Sequence, residues 1–258
     1  MSAVQTERRG AALWARMQRP EALNSINGDL LAGLEAAMDA AEGDPGIRVL
    51  VITGSGRAFC AGADLGVVAG SGGEDAFVRF LTDVGTTFRR LEQLPLPTIA
   101  AVNGFALAGG LEMLLCCDLV VAAQEAKIGD AHANYGLIPG GGGTVRLPRR
   151  VGPALAKQLM FTGAFLPAAE LRHSGLLNDV VPGAELEDAV DALVAQMAGK
   201  SPLGLRRMKQ LADDALQAPP DVGLRAELTA SALHSRSADM AEGLAAFHDK
   251  RDPDFTGA

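Results

Sequence analysis

The stretch that decides the fold runs from Pro97 to Asp118 and reads PTIAAVNGFALAGGLEMLLCCD. Thr98 to Val102 is uncharged and rich in β-forming residues, and Asn103-Gly104 interrupts it, so the pattern predicts a buried strand that enters a turn. A pair of glycines then precedes Leu111 to Cys117, which is apolar at every position but one. This run predicts a buried helix, and its exception is Glu112.

Glu112 is a chemical anomaly because a carboxylate on a buried helix is costly unless it is paired or takes part in chemistry. It follows Gly109 by three residues, so a helix would place its side chain on the face of the Gly109 amide. That amide lies at the positive end of the helix dipole without an internal partner, and glycine allows a ligand to approach closely. The pattern predicts an oxyanion donor beside a carboxylate base. A glycine-lined helix start whose glutamate pairs with a distant arginine is the alternative, and this stretch alone leaves both open.

The composition indicates an ordinary globular protein of one large domain, or of a core with a small appendage. Of the 258 residues 48% are hydrophobic and 21% charged, and the net charge of -8 argues against a general nucleic-acid binder. The three cysteines have no metal-binding spacing, which predicts reduced thiols and no metal site. With no signal-peptide pattern and no run long enough to cross a membrane, we expect a cytoplasmic protein.

The pattern on either side of the central stretch favours α/β packing. Residues 11 to 17 predict a strand, residues 28 to 42 an amphipathic helix, and residues 48 to 53 another strand. A loop of small residues follows the second strand, and a second backbone amide there, such as that of Ala63, could point at a ligand oxygen. From about Leu186 the chain is predicted to be helical to its end.

Three motifs together resemble one known family. They are AFCAGADL at residues 58 to 65, AAVNGFALAGGLE at 100 to 112 and IPGGGGTVRL at 138 to 147. In this order they strongly resemble the crotonase, or enoyl-CoA hydratase/isomerase, superfamily over essentially the whole chain. The resemblance implies an α/β fold, a crotonase-like spiral of ββα units, over residues 1 to 195 with the acyl-CoA site. It also implies a C-terminal helical oligomerisation segment over residues 196 to 258, forming a trimer or a dimer of trimers.

Carried over residue by residue, the resemblance makes Ala63 and Gly109 the two backbone donors of an oxyanion hole for an acyl-CoA thioester. Glu112 matches one of the two catalytic glutamates of the hydratases. Coenzyme A would enter as part of the substrate, and no metal or redox cofactor is implied. The residues that would bind the CoA portion are Arg19, Ala22, Ala61, Gly62, Asp64, Leu65 and, from a neighbouring subunit, Lys250 with Phe247. The variable loop 66 to 73 and an amphipathic helix after it would line the acyl pocket and set the acyl-chain preference.

The sequence departs from the hydratases at one position. Aligned through Ile138-Pro139-Gly140, the second catalytic glutamate falls on His132, which can accept or donate a proton near neutral pH. Near Glu112 it would form an acid/base pair, whereas the alternative is a space-filling histidine bonded to a backbone carbonyl. The function predicted first is therefore enoyl-CoA hydratase/isomerase. An acyl-CoA hydrolase or C-C lyase that uses His132, a weak acyl-CoA binder and an RNA-binding relative are the alternatives.

Overall fold

The computed structural model describes residues 2–64, 66 and 73–258. The strands are β1 (Val4–Arg9), β2 (Ala12–Met17), β3 (Val49–Gly54), β4 (Ala58–Cys60), β5 (Thr98–Val102), β6 (Phe105–Leu107), β7 (Leu119–Ala123), β8 (Lys127–Gly129), β9 (Phe165–Pro167) and β10 (Asp179–Val181). The helices are α1 (Gly28–Gly43), α2 (Glu74–Glu92), α3 (Gly109–Leu114), α4 (Gly143–Val151), α5 (Pro153–Thr162), α6 (Ala168–Leu171), α7 (Leu186–Ala198), α8 (Pro202–Ala215), α9 (Pro220–His234) and α10 (Ala238–Asp249). Short 3-10 turns span Pro20–Ala22, His132–Tyr135 and Gly183–Glu185.

The larger sheet has the strand order β1-β2-β3-β5-β7-β10, and its central strands β2, β3, β5 and β7 are buried on both faces. Strand β1 pairs antiparallel with β2, and the remaining neighbours are parallel. Alternate residues point to opposite faces: Leu50 and Ile52 join the main core, while Val49 and Val51 pack with Trp14 beneath α7. Burial on both faces explains why these strands are almost continuously apolar in sequence.

The smaller sheet places three chain segments at one edge. Its order is β4-β6-β8-β9, with β4, β6 and β8 parallel and β9 antiparallel. The carboxyl ends of parallel strands meet at the same edge of a sheet. The residues that follow β4, β6 and β8 therefore lie side by side, and these segments contain Ala63, Gly109 and His132.

Most elements predicted from the sequence are confirmed, with a few differences. Strand β1 was not predicted, because four of its six residues are exposed and polar. Helix α3 ends at Leu114, earlier than the apolar run suggests. The predicted helix after the glycine-rich loop is α2, whereas the predicted loop itself lies, apart from Gly66 and Gly73, outside the described residues.

The C-terminal residues 196 to 258 comprise the end of α7, then α8, α9 and α10 and a short extended end, so residue 195 lies inside α7. On α8 the side chain of Lys209 is only 10% exposed, and its Nζ donates to Asp118 Oδ2 at 2.8 Å. This bond ties α8 to the turn before β7. Within the described part of the chain, no helix combines the length and hydropathy that crossing a bilayer requires. The division at residue 195 stays a prediction.

Two glycines on helices offer a test of how closely α3 must approach β4. A Cβ on Gly110 would lie 1.9 Å from the Cys60 carbonyl oxygen, whereas a Cβ on Gly85, inside α2, meets nothing within 4 Å. Gly110→Ala is expected to lower the free energy of unfolding by roughly 1–3 kcal/mol, because backbone cannot yield as a side chain can. The matched change Gly85→Ala is expected to raise it by about 0.5–1 kcal/mol.

Urea unfolding of both variants at one protein concentration measures these differences in the free energy of unfolding. Equal midpoints for Gly110→Ala and the unmodified protein would show that α3 and β4 can separate without cost. That outcome would contradict the close approach on which the site geometry depends.

Candidate active site

Glu112 is held in the interior by two backbone amides. Its side chain lies in the first turn of α3 and only 3% of the residue is exposed. The amides of Gly141 and Gly143 each donate to Oε1 at 2.8 Å. Of the two alternatives for this residue, pairing with a distant arginine is wrong, since its hydrogen bonds come from a glycine run. Oε2 is left as the oxygen available for other contacts.

The glycine run has its shape because Arg146 holds it. Arg146 donates to the Gly141 carbonyl oxygen at 2.8 Å and makes two bonds to Glu92, both at 2.8 Å. Gly142 lies between the two amides with φ +101, and a Cβ there would lie 1.9 Å from Arg146 Nη1. Glycine is thus required at this position both by backbone conformation and by space. The run is a carboxylate-binding loop, which the sequence alone did not indicate.

His132 faces the free oxygen of Glu112. It begins a 3-10 turn directly after β8, and its Nε2 lies 3.9 Å from Glu112 Oε2. On the other side of the ring, Nδ1 lies 3.1 Å from Asp130 Oδ1. The structure therefore aligns Asp130, His132 and Glu112 in that order. The space-filling alternative for His132, bonded to a backbone carbonyl, does not describe this contact.

The two titratable groups affect each other. Burial raises the pKa of Glu112, and the two amides and His132 only partly offset this increase. Burial by itself would lower the pKa of His132, but its bond to Asp130, together with the charges of Asp130 and Glu112, raises it. A carboxylate and an imidazolium can therefore coexist here, and each favours the charged form of the other.

Two free amides lie together beside this pair. Ala63 follows Gly62, whose φ is +103. Ile26 pairs with the segment around Ala63: its amide donates to the Gly62 carbonyl oxygen, and its carbonyl oxygen accepts from the Asp64 amide. Both bonds to Ile26 come from the neighbours of Ala63, so the Ala63 amide itself points away from Ile26. A Cβ on Gly109 would lie only 3.5 Å from the Ala63 nitrogen. Among the described residues neither amide has an acceptor, and the pair can bind an oxygen that gains negative charge.

The structure gathers several of the residues predicted to bind CoA. Arg19 Nη2 lies 2.9 Å from Asp64 Oδ2, and Arg19 Nη1 donates to the Ser25 carbonyl oxygen. Ala22 is the last residue of the 3-10 turn that follows Arg19. The next residue, Leu23, accepts the amide of Ala61 at its carbonyl oxygen. These contacts place the segment around residue 19 against the loop that ends in Asp64.

Two further predicted residues are not brought together with these. Lys250 is exposed after the C-terminal end of α10, and its described contacts do not join it to the site. Leu65 lies outside the described residues. Asp130 was missed by the sequence reasoning. The available signal was a carboxylate two residues before His132, the histidine that aligns with the second catalytic glutamate of the hydratases.

Comparisons with known proteins show the family of this chain. The family model described as Enoyl-CoA hydratase/isomerase matches residues 7–258. The chain is 39% identical to the crotonyl-CoA hydratase of Syntrophomonas wolfei over 93% of this chain and 92% of that protein. It is 38% identical to the 2,3-dehydroadipyl-CoA hydratase of Escherichia coli K12 over the full length of both.

Solved structures show the same similarity. The crystal structure of an enoyl-CoA hydratase from Bacillus anthracis matches with a TM-score of 0.95 and 35% identity, covering 99% of this chain and all of that one. The chain therefore belongs to the enoyl-CoA hydratase/isomerase family. This membership confirms the predicted family, the crotonase-like α/β fold and an acyl-CoA-processing enzyme of this class.

Proposed function

We propose that the protein is an enoyl-CoA hydratase, which adds water to the conjugated double bond of an acyl-CoA thioester. The observation that carries this proposal is the pair of proton-transfer atoms, Glu112 Oε2 and His132 Nε2, which face each other at 3.9 Å. A direct hydrogen bond would be shorter, so the two atoms can both reach a group lying beside them. Relatives named as hydratases of crotonyl-CoA and 2,3-dehydroadipyl-CoA support the same reaction class.

The amides of Ala63 and Gly109 supply the electrostatic part of the mechanism. When water attacks the β-carbon, negative charge moves through the double bond to the thioester oxygen. Two preorganised amides at that oxygen stabilise the enolate as its charge develops. The turn at Gly62 fixes the Ala63 amide and the start of α3 fixes the Gly109 amide, so both donors are positioned before the substrate binds.

Proton transfer is assigned to Glu112 and His132. Glu112, ionised, accepts a proton from water through Oε2 while the hydroxyl oxygen bonds to the β-carbon. His132, protonated, gives its Nε2 proton to the α-carbon. Glu112 then returns the proton that it took from water to His132, which restores both groups and leaves one water added to the substrate.

Isomerisation is the second candidate, because a single base can move a proton between the α- and γ-carbons and Glu112 offers one free oxygen. The hydrolase, C-C lyase and weak-binder alternatives lack a specific observation in their favour. RNA binding is disfavoured by the net charge of -8. We further propose that coenzyme A enters as part of the substrate along Arg19, Ala61 and Asp64, in a cytoplasmic enzyme without a separate cofactor.

The first test is hydration of crotonyl-CoA by Glu112→Gln. The amide cannot act as the base, so kcat is expected to fall by roughly 100- to 10,000-fold while KM changes little. Loss of the conjugated enoyl thioester, with the product identified by mass, measures the reaction. Glu170→Gln, an exposed change on α6, is the matched control.

Two outcomes would contradict this proposal, the first its mechanism and the second its reaction. Full hydration by Glu112→Gln would remove Glu112 from the mechanism. A shifted double bond as the only product of the unmodified enzyme would favour the isomerase.

The pH dependence of kcat/KM provides a second test. Because burial raises the pKa of Glu112, the acid limb of the kcat/KM profile should lie at a higher pH than the titration of a free glutamate. Because Asp130 and Glu112 raise the pKa of His132, activity should fall on the alkaline side only above the ordinary histidine range. The two limbs belong to the coupled pair and not to either residue alone.

His132→Gln should remove the alkaline limb along with much of the rate. An alkaline limb that persists in this variant would assign that proton to another group.

We also propose that the protein is a homo-oligomer, a trimer or a dimer of trimers. Its C-terminal helices present apolar side chains that are more than half exposed in the single chain, and isolated monomers rarely expose so many together. These side chains are Met208, Leu216, Leu224, Leu228, Leu233, Leu244 and Phe247. Phe247, 86% exposed, would then lie with Lys250 near the CoA of a neighbouring subunit.

Sedimentation velocity tests this assembly directly. We expect a molar mass of three or six times that of the chain. Leu228→Glu places a charge in an apolar contact and should shift the population toward smaller species. Glu227→Gln, its exposed neighbour on α9, is the control and should leave the mass unchanged. A monomer at micromolar concentration would overturn the proposal.

A further inference from the structure

Asp130 is a buried carboxylate that the hydratase mechanism above does not use. It follows β8 directly and is 1% exposed. Its Oδ1 lies 3.1 Å from His132 Nδ1 and accepts the His132 amide at 3.2 Å. Its Oδ2 is buried and has no hydrogen-bond partner among the described residues. A buried carboxylate in this state needs an explanation, because desolvation of an unpaired oxygen is costly.

The geometry of the turn holds Asp130 and His132 in one arrangement. Ala131 between them has φ +59, a strained conformation for a non-glycine residue that persists only where the surrounding structure holds it. The His132 amide also donates to the Asp130 carbonyl oxygen at 2.8 Å. Because the carboxylate can only accept, Nδ1 must carry a proton when it bonds to Oδ1. Nε2 is then the ring nitrogen that faces Glu112.

The charges around the His132 ring also concern Asp130. His132 has the Asp130 carboxylate on its Nδ1 side and the Glu112 carboxylate on its Nε2 side. Arg146 is bonded to Glu92 and to the Gly141 carbonyl oxygen, and no hydrogen bond or ion pair between described residues joins it to Asp130. A protonated His132 beside an ionised Asp130 has no net charge. The pair thus matches a protonated carboxylic acid in charge while presenting a nitrogen as the donor.

We propose that Asp130 is the positioning residue of His132: it fixes the ring with Nε2 toward Glu112 and supplies the counter-charge that keeps the donated proton on the ring. The assignment of His132 as the proton donor rests on the proposed function, but the orientation and the counter-charge do not. Replacement of a glutamate by histidine at residue 132 then depends on an acidic residue at 130. Asp130 acts through His132 and does not contact the substrate.

The test uses the intact protein labelled with 13C and 15N in its four histidines, with no substrate present. The His132 signal is assigned by its loss in His132→Gln, and its titration is followed by NMR in the unmodified protein and in Asp130→Asn. The asparagine keeps the size and an acceptor oxygen but removes the charge. We expect His132 to titrate at a clearly lower pH in Asp130→Asn.

Asp239→Asn is the matched control, since Asp239 is also a 1% exposed aspartate but lies in the C-terminal segment, bonded to Ser201. It should leave the His132 titration unchanged. An unchanged titration in Asp130→Asn would overturn the proposal, as would an equal shift in Asp239→Asn.

A second measurement needs no variant and therefore stands even if Asp130→Asn fails to fold. Above its titration, neutral His132 in the unmodified protein should carry its proton on Nδ1, which 15N chemical shifts report. A neutral form protonated mainly on Nε2 would contradict the proposed orientation.

The kinetic prediction separates this proposal from the hydratase proposal. A general acid contributes roughly 100- to 10,000-fold to kcat, and Asp130→Asn should lose part of this rate enhancement. The alkaline limb of its pH profile should move to lower pH, and its KM should change little. If the protein does not hydrate crotonyl-CoA, the hydratase proposal fails while the titration still tests Asp130. If hydration occurs but the titration is unchanged, only the positioning role is lost.

Discussion

The parallel pairing of β4, β6 and β8 is the constraint on which the rest of the site depends. Each strand is only three residues long, so none carries much stability alone. Because they are parallel neighbours, their carboxyl ends open at one edge and deliver three loops to the same place. The first loop brings the Ala63 amide, the second the Gly109 amide and α3, and the third Asp130 and His132. Strand β4 of this sheet contacts β3 and β5 of the larger sheet, whose central strands are buried on both faces.

Close backbone approach makes that edge compact enough for chemistry. Gly110 lies against the Cys60 carbonyl, closer than a side chain would allow, and Gly62 lies against the Gly109 amide, where a Cβ would be tight. Positive φ angles occur at Gly62, Ala108 and Ala131, immediately before Ala63, Gly109 and His132. This conformation is strained at Ala108 and Ala131, which are not glycines, so the surrounding packing must hold it and thereby sets the orientation of the Gly109 amide and the His132 ring.

The electrostatics of the site follow from burying three titratable groups together. A lone carboxylate at the position of Glu112 would favour its neutral form, but two amides and an imidazole stabilise the charged form within the interior. Arg146 acts indirectly, because it holds the glycine run that binds Glu112, and no ion pair between described residues joins Glu112 to an arginine or a lysine. The carboxylate therefore keeps one oxygen free to exchange protons. A direct arginine pair would have used both oxygens and lowered the basicity of the group.

The sequence by itself determined the family, the α/β core, the buried helix with its single carboxylate and the substitution of His132, because apolar periodicity and contiguous motifs are local signals. It also indicated the two amides, since glycine and small residues after strands are visible in the chain. Tertiary structure alone decided which oxygen of Glu112 is free, since its amide partners lie 29 and 31 residues away and have no periodic relation to it. It likewise decided that Lys209 pairs with Asp118 across 91 residues and that Asp130 faces the ring of His132. Hydrogen bonds between distant segments depend on how the sheets pack, and a one-dimensional pattern does not encode that packing.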